Sequence, residues 1–238
     1  MVKDPYEPSC SPHPQEGNRP PQPMRVAVLS SGGKDSAAAW WWAACRGWTV
    51  DCLVTVIVEG ADSPMFQIPS THFVERQAEL AGIDWVSVVV DGTVPHDITA
   101  LENTLKNREI DGFVSGALRS DYQKSRLELM AHRLGLRSWT PLWHQSGHEH
   151  VASMIENGFD IMLTSVSAEG LDRTWLGRVL DSNSFAMMAD LAAKHRFHVE
   201  GEGGEYETLV LAGPHHPGRL QVEYSVEWDG VRGHLDFH

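Results

Sequence analysis

Arg25-Val26-Ala27-Val28-Leu29-Ser30 runs directly into Ser31-Gly32-Gly33-Lys34-Asp35-Ser36, and Ala37-Ala38-Ala39-Trp40-Trp41-Trp42-Ala43-Ala44 follows at once. The first six residues are a short apolar run of the kind that makes a strand buried on both faces. The last eight are strong helix formers. Between them lies a glycine loop at a helix start, where backbone amides and the positive end of the helix dipole favour phosphate oxygens. Glycine lets the backbone come close to such an anion. The loop is not a Walker A motif, because Lys34 is followed by Asp35 and position 28, where the upstream glycine belongs, is valine; it also lacks the Gly-x-Gly-x-x-Gly dinucleotide pattern.

Working outward, the helix breaks at Gly47 and a second apolar run covers 50–58. The alternation continues with a helix over 71–81, a strand at 85–90, a helix near 98–107, a strand at 113–115 and a helix over 121–134 ended by Gly135. This predicts an α/β fold with an open, mostly parallel sheet and helices on both faces. Beyond residue 136 the character changes. Trp139-Thr140-Pro141-Leu142-Trp143 reads as loop, 149–157 as helix, 159–166 as strand, 171–180 and 181–195 as helical, and 208–211 and 221–228 as strands. A smaller C-terminal α/β lobe over 137–238 is therefore expected after a first domain over 24–136. Residues 1–23 hold seven of the thirteen prolines and read as a disordered tail, too polar to offset the entropy of ordering.

With 19 basic against 32 acidic residues the net charge is −13, which repels a phosphate backbone and makes nucleic acid an unfavoured partner. Three cysteines without a Cys-x-x-Cys pair argue against a disulfide framework or a thiolate zinc site and point to the cytoplasm. No apolar run approaches a membrane span, and the proline-rich start lacks the apolar core of a signal peptide.

The segment 31–36 resembles the pyrophosphate loop (PP-loop) of the ATP pyrophosphatases, an adenine nucleotide α-hydrolase-like fold. That resemblance implies ATP as cofactor, nucleophilic attack on its α-phosphate, and pyrophosphate held by Ser31, Gly32, Gly33, Lys34, Asp35 and Ser36. Four further segments narrow it: Gly116-Ala117-Leu118-Arg119-Ser120-Asp121-Tyr122-Gln123-Lys124-Ser125-Arg126, Pro141-Leu142-Trp143, Gly170-Leu171-Asp172-Arg173-Thr174-Trp175-Leu176-Gly177-Arg178, and Gly201-Glu202-Gly203-Gly204-Glu205-Tyr206-Glu207-Thr208-Leu209-Val210. Together, in order from about residue 24 to 214, they resemble the diphthine–ammonia ligase family. The resemblance implies amidation of diphthine on elongation factor 2 with ATP and ammonium, through an acyl adenylate. It is to a short archaeal-type form, the eukaryotic enzymes being expected to carry extra C-terminal domains. A tRNA-modifying ATP pyrophosphatase and a non-catalytic nucleotide-binding module are the alternative readings. The first would need a basic surface and suitably placed cysteines; the second would leave the dense glutamates unexplained.

The expected catalytic residues are Lys34, Asp35, Glu202 and Glu205, with Gly116 and Arg126 joining the loop in holding nucleotide. Asp35 is either an oxygen ligand orienting Mg2+, directly or through water, or a helix N-terminal residue facing the dipole. Glu202, Glu205 and Glu207, interleaved with glycines, suit ammonium, magnesium or a cationic substrate. Arg119, Lys124 and Arg126 are either phosphate neutralisers or a charged helix face. Trp143, Trp175 and Tyr206, with Glu207, are candidates to bind substrate, the aromatics as a cage for the quaternary ammonium of diphthine or else as core. His144, His148 and His150 start a helix read as exposed, and no metal site is expected there.

Overall fold

The computed structural model describes residues 23–58, 71–90 and 94–238. The expected tail falls outside these residues except for Pro23. The first sheet is parallel throughout, in the order β3-β2-β1-β4-β5. Its strands are β1 (Arg25–Leu29), β2 (Thr49–Val58), β3 (Asp84–Val90), β4 (Gly112–Ser115) and β5 (Arg137–Trp139). Side chains alternate across it. Val26 and Val28 point to the layer holding Trp40 and Ala43 of α1 (Lys34–Cys45) and Ala78 of α2 (Val74–Ala81). Ala27, between them, points to the layer of Leu101 from α3 (Val94–Leu105) and Met130 from α4 (Asp121–Leu134). Helices thus cover both faces, as a strand buried on both sides demands. Of the three consecutive tryptophans, Trp40 enters the core, while Trp41 and Trp42 are half-buried.

The second lobe is a four-stranded antiparallel sheet in the order β7-β6-β9-β8, built from β6 (Asp160–Val166), β7 (Tyr206–Ala212), β8 (Tyr224–Trp228) and β9 (Gly233–Phe237). It carries α5 (Gly147–Glu156) and α6 (Ser182–His195). The expected fold class is what is found.

Three local expectations change. The segment 171–180, read as helical, forms only a 3-10 turn at Arg173–Trp175. Asp172 accepts from the Thr174 amide at 2.9 Å, an Asx turn that competes with helix, and Gly177 sits at φ 76° with Tyr224 where a Cβ would go. The 139–143 segment is not all loop, since β5 runs to Trp139 and pairs with β4, extending the first sheet past position 137. Strand β9 was not foreseen; it forms a hairpin with β8 around Gly230 at φ 105°.

Candidate active site

The strand order reverses at β1, with β2 on one side and β4 on the other, and an open parallel sheet binds ligands in the crevice at such a point. A cavity of about 360 Å³ lies there. The glycine loop forms its floor, the strand ends Val54, Val56 and Ser115 one wall, and Glu202, Tyr206, Glu207 and Thr208 of the second lobe the other.

The loop is pinned from the second lobe. The Lys34 amide donates to Thr208 Oγ1 at 3.1 Å, the Val210 amide donates to the Gly32 carbonyl at 3.0 Å, and the Gln77 amide group donates to the carbonyls of Gly32 (3.3 Å) and Val210 (2.8 Å). Gly32 adopts φ 82°, and a Cβ on Gly33 would stand 3.2 Å from the Thr208 carbonyl. A side chain at Gly116 would lie 2.6 Å from the Asp35 backbone. These glycines therefore permit close approach of main chains. Gly33, the cap of α1, has no side chain to accept from the helix, and of the first helical amides that of Lys34 is taken by Thr208.

Lys34 is buried, with its ammonium 2.9 Å from Asp35 Oδ2 and 5.7 Å from the centre of the Tyr206 ring. Burial works against its charge, but the Asp35 carboxylate, with Tyr206 and Glu202 adding, overrides it and holds the lysine above its ordinary range. Burial likewise opposes the Asp35 charge, and Lys34 with His150 overrides it, keeping the carboxyl below its ordinary range. His150 Nε2 lies 2.9 Å from Asp35 Oδ1. Both sides of the Asp35 carboxylate are thus engaged by protein groups. Glu207, by contrast, is pushed up to about 7, first by burial, with Lys34 opposing and Asp35 and Glu202 adding to the rise. Partial burial and the Asp35 charge also raise Glu202, which sits at the exposed rim.

Of the residues expected from sequence, Ser31, Gly33, Lys34, Asp35, Ser36, Gly116, Glu202, Tyr206 and Glu207 line this cavity, and Gly32 is the bend of the loop. Four do not join them. Both Glu205 oxygens are taken by backbone amides, of His198 at 2.9 Å and of Gly203 at 2.7 Å, so this carboxylate shapes the glycine-rich turn instead of facing the cavity. The Arg126 guanidinium stacks 3.4 Å from the Tyr122 ring, and α4 offers Gln123 and Leu127 to the cavity in its place. Trp175 is buried in the second-lobe core with Arg178 at 4.6 Å from its ring. Trp143, half-buried, has Lys124 at 5.2 Å. Each of these aromatic faces, like that of Tyr206, already meets a protein cation, which argues against a shared cage for another.

Sequence reading missed His150, Gln77 and Thr208. His150 carried a usable signal, because Gly147, His150, Val151 and Met154 form one buried stripe at helical spacing, and a histidine in such a stripe needs a polar partner. Gln77 and Thr208 act across 45 and 174 positions, and nothing local announces such pairings. No group of three or more His, Cys, Asp or Glu able to hold a metal occurs among the described residues.

Family models described as the diphthamide synthase N-terminal domain and C-terminal domain match residues 24–138 and 146–238. The diphthine–ammonia ligase of Homo sapiens is 31% identical over 225 residues, spanning 85% of this chain and 84% of that protein. The chain belongs to the diphthamide synthase family. Its curated relatives are named as ligases, and the chain is an enzyme of that class. The diphthine–ammonia ligase of Schizosaccharomyces pombe is 30% identical, with 80% of this chain matching only 35% of that longer protein. The expectation that eukaryotic members carry further domains thus fits the yeast relative, whereas the human one is matched over most of its length. No helix among the described residues is long and apolar enough to cross a membrane.

Proposed function

We propose that this diphthamide synthase family member uses ATP and ammonium to amidate diphthine on elongation factor 2, giving diphthamide, AMP and pyrophosphate. The observation that carries this reading is that the glycine loop and strand β7 meet in one cavity at the sheet's switch point. A phosphate cradle and a carboxylate-lined acyl site are what an adenylating ligase must bring together.

The residues suit ATP. Leu29, Val54, Val56 and Leu127 offer apolar surface for the base, and the Ser115 hydroxyl, buried without a hydrogen-bond partner, stands in the wall as a free polar contact. The loop amides and Lys34 would hold the departing pyrophosphate. An oxygen of the diphthine carboxylate attacks the α-phosphorus, and the bond from that phosphorus to the pyrophosphate oxygen breaks. Ammonia then attacks the acyl carbon and AMP leaves. Magnesium would enter on the triphosphate and neutralise its charge. With both Asp35 oxygens engaged and no three-ligand group among the described residues, Asp35 would meet it through water, the usual habit of this ion. The lobe over 24–136 would serve the nucleotide and that over 137–238 the acyl substrate. Free Cys45 and Cys52 suit a reducing compartment such as the cytoplasm.

Mass spectrometry of the modified-histidine peptide tests the reading. With ATP and ammonium the enzyme is expected to convert diphthine to diphthamide on purified factor. A substrate left as diphthine under these conditions contradicts it.

A further inference from the structure

Ammonium has no lone pair, so it must lose a proton before its nitrogen can attack an acyl carbon. The loop and its lysine leave that task undone. Around the cavity, Asp35 gives its oxygens to Lys34 and His150, Glu205 gives its own to backbone amides, and the buried Glu200 pairs with Arg119 at 3.3 Å. Glu207 lines the cavity and is half-buried; its backbone pairs with Ser165 of β6, while its carboxylate makes no hydrogen bond or ion pair with any described residue. Its neighbours hold its backbone in place: the Tyr206 hydroxyl donates to the Val199 carbonyl at 2.7 Å, and Thr208 accepts from Lys34. Glu202 stands at the exposed rim, where water competes for it.

We infer that Glu207 is a catalytic residue of the second half-reaction, its carboxylate binding ammonium inside the cavity and taking one proton from it. This rests on the proposed amidation of an activated carboxylate. Glu207 becomes a neutral acid as the proton transfers. The freed lone pair forms the C–N bond, the bond from the acyl carbon to the AMP oxygen breaks with its electrons on AMP, and nitrogen gives a second proton to solvent. The charged groups acting on Glu207 are Lys34, Asp35 and Glu202, and the first of these keeps the carboxyl from rising further. Its resulting value of about 7 suits a base working near neutrality, because the acquired proton is readily returned to water between turnovers.

Hydroxylamine separates this role from others, since it is largely unprotonated at neutral pH and attacks an acyl adenylate without prior deprotonation. The parent should form diphthamide from ammonium and the hydroxamate from hydroxylamine. Glu207→Gln should lose about 100-fold in amide formation, the low end for a general base, while hydroxamate formation falls by only about 3-fold or less. Glu207→Asp, which keeps a carboxylate, should recover part of the amide rate, and raising the pH should narrow the deficit of Glu207→Gln by supplying free ammonia. Equal loss of both products in Glu207→Gln, or loss of neither, overturns the assignment and leaves the functional reading standing. If the parent itself forms neither product, the functional reading and the assignment fall together.

Discussion

Asp35 joins Lys34 and His150 into one cluster, with an oxygen engaged by each. The Asp35 carboxylate lies against the buried Lys34 ammonium and supports its charge, and His150 engages the far Asp35 oxygen. Replacing Asp35 by Asn removes the charge that compensates Lys34 and should lower the rate of AMP formation by about 100-fold or more, measured as diphthine-dependent AMP release. A rate within about 3-fold of the parent would remove Asp35 from the mechanism. Glu207 illustrates the opposite balance, in which stability is given up at a working site. Its folded value, about 7, lies above the ordinary carboxyl value, so the folded state gains from the neutral acid. That contribution is complete below the unfolded value and is lost as pH rises through about 7. Glu207→Gln should therefore melt above the parent at pH 8, with the difference vanishing near pH 4. A variant melting below the parent at pH 8 would mean that the carboxylate is stabilised in place. Part of the candidate site was legible: Lys34 and Asp35 stand in a motif that resembles a pyrophosphate loop, and both line the cavity. The fate of Glu205 was not, because the sequence shows three similar glutamates and only the folded turn decides which one caps backbone amides.

Elements matter here through how closely they approach. The end of β4 passes so near the start of α1 that Gly116 has no room for a methyl group, whose nearest neighbour would be main chain and not a yielding side chain. Gly116→Ala should cost about 1–3 kcal/mol of stability and depress nucleotide binding with it, both readable from melting with and without ATP. Unchanged stability would show that β4 and α1 can separate freely. Thr208→Val deletes the acceptor for the Lys34 amide while keeping the shape, leaving a buried donor unpaired at a cost of about 1–3 kcal/mol. A loss much below 1 kcal/mol would mean that another acceptor takes its place. The alternating elements of the first sheet could be read from apolar runs and glycine stops. The 171–180 segment reads wrongly as helix because its composition is helix-compatible: the Asx turn of Asp172 is local and could have warned of the break, whereas the approach of Tyr224 to Gly177 is set only by the fold.

At the scale of the molecule, the two lobes share one site, because β7 supplies hydrogen bonds to the loop that the first sheet presents. Gln77 reinforces the junction by donating to a carbonyl on each side. Under the proposed function, such a junction would couple nucleotide binding to the placement of Glu202, Tyr206 and Glu207. The sequence carries family-like segments in both halves, but their meeting depends on contacts more than one hundred positions apart, which no local pattern encodes. In the proposed reaction the carboxylate of diphthine attacks the α-phosphorus of ATP, so that one substrate oxygen leaves with AMP. Diphthine labelled with oxygen-18 in that carboxylate tests it most directly. One labelled oxygen in AMP for each diphthamide formed, with pyrophosphate unlabelled, is the expected result; label in inorganic phosphate alongside ADP, or AMP free of label, would rule this chemistry out.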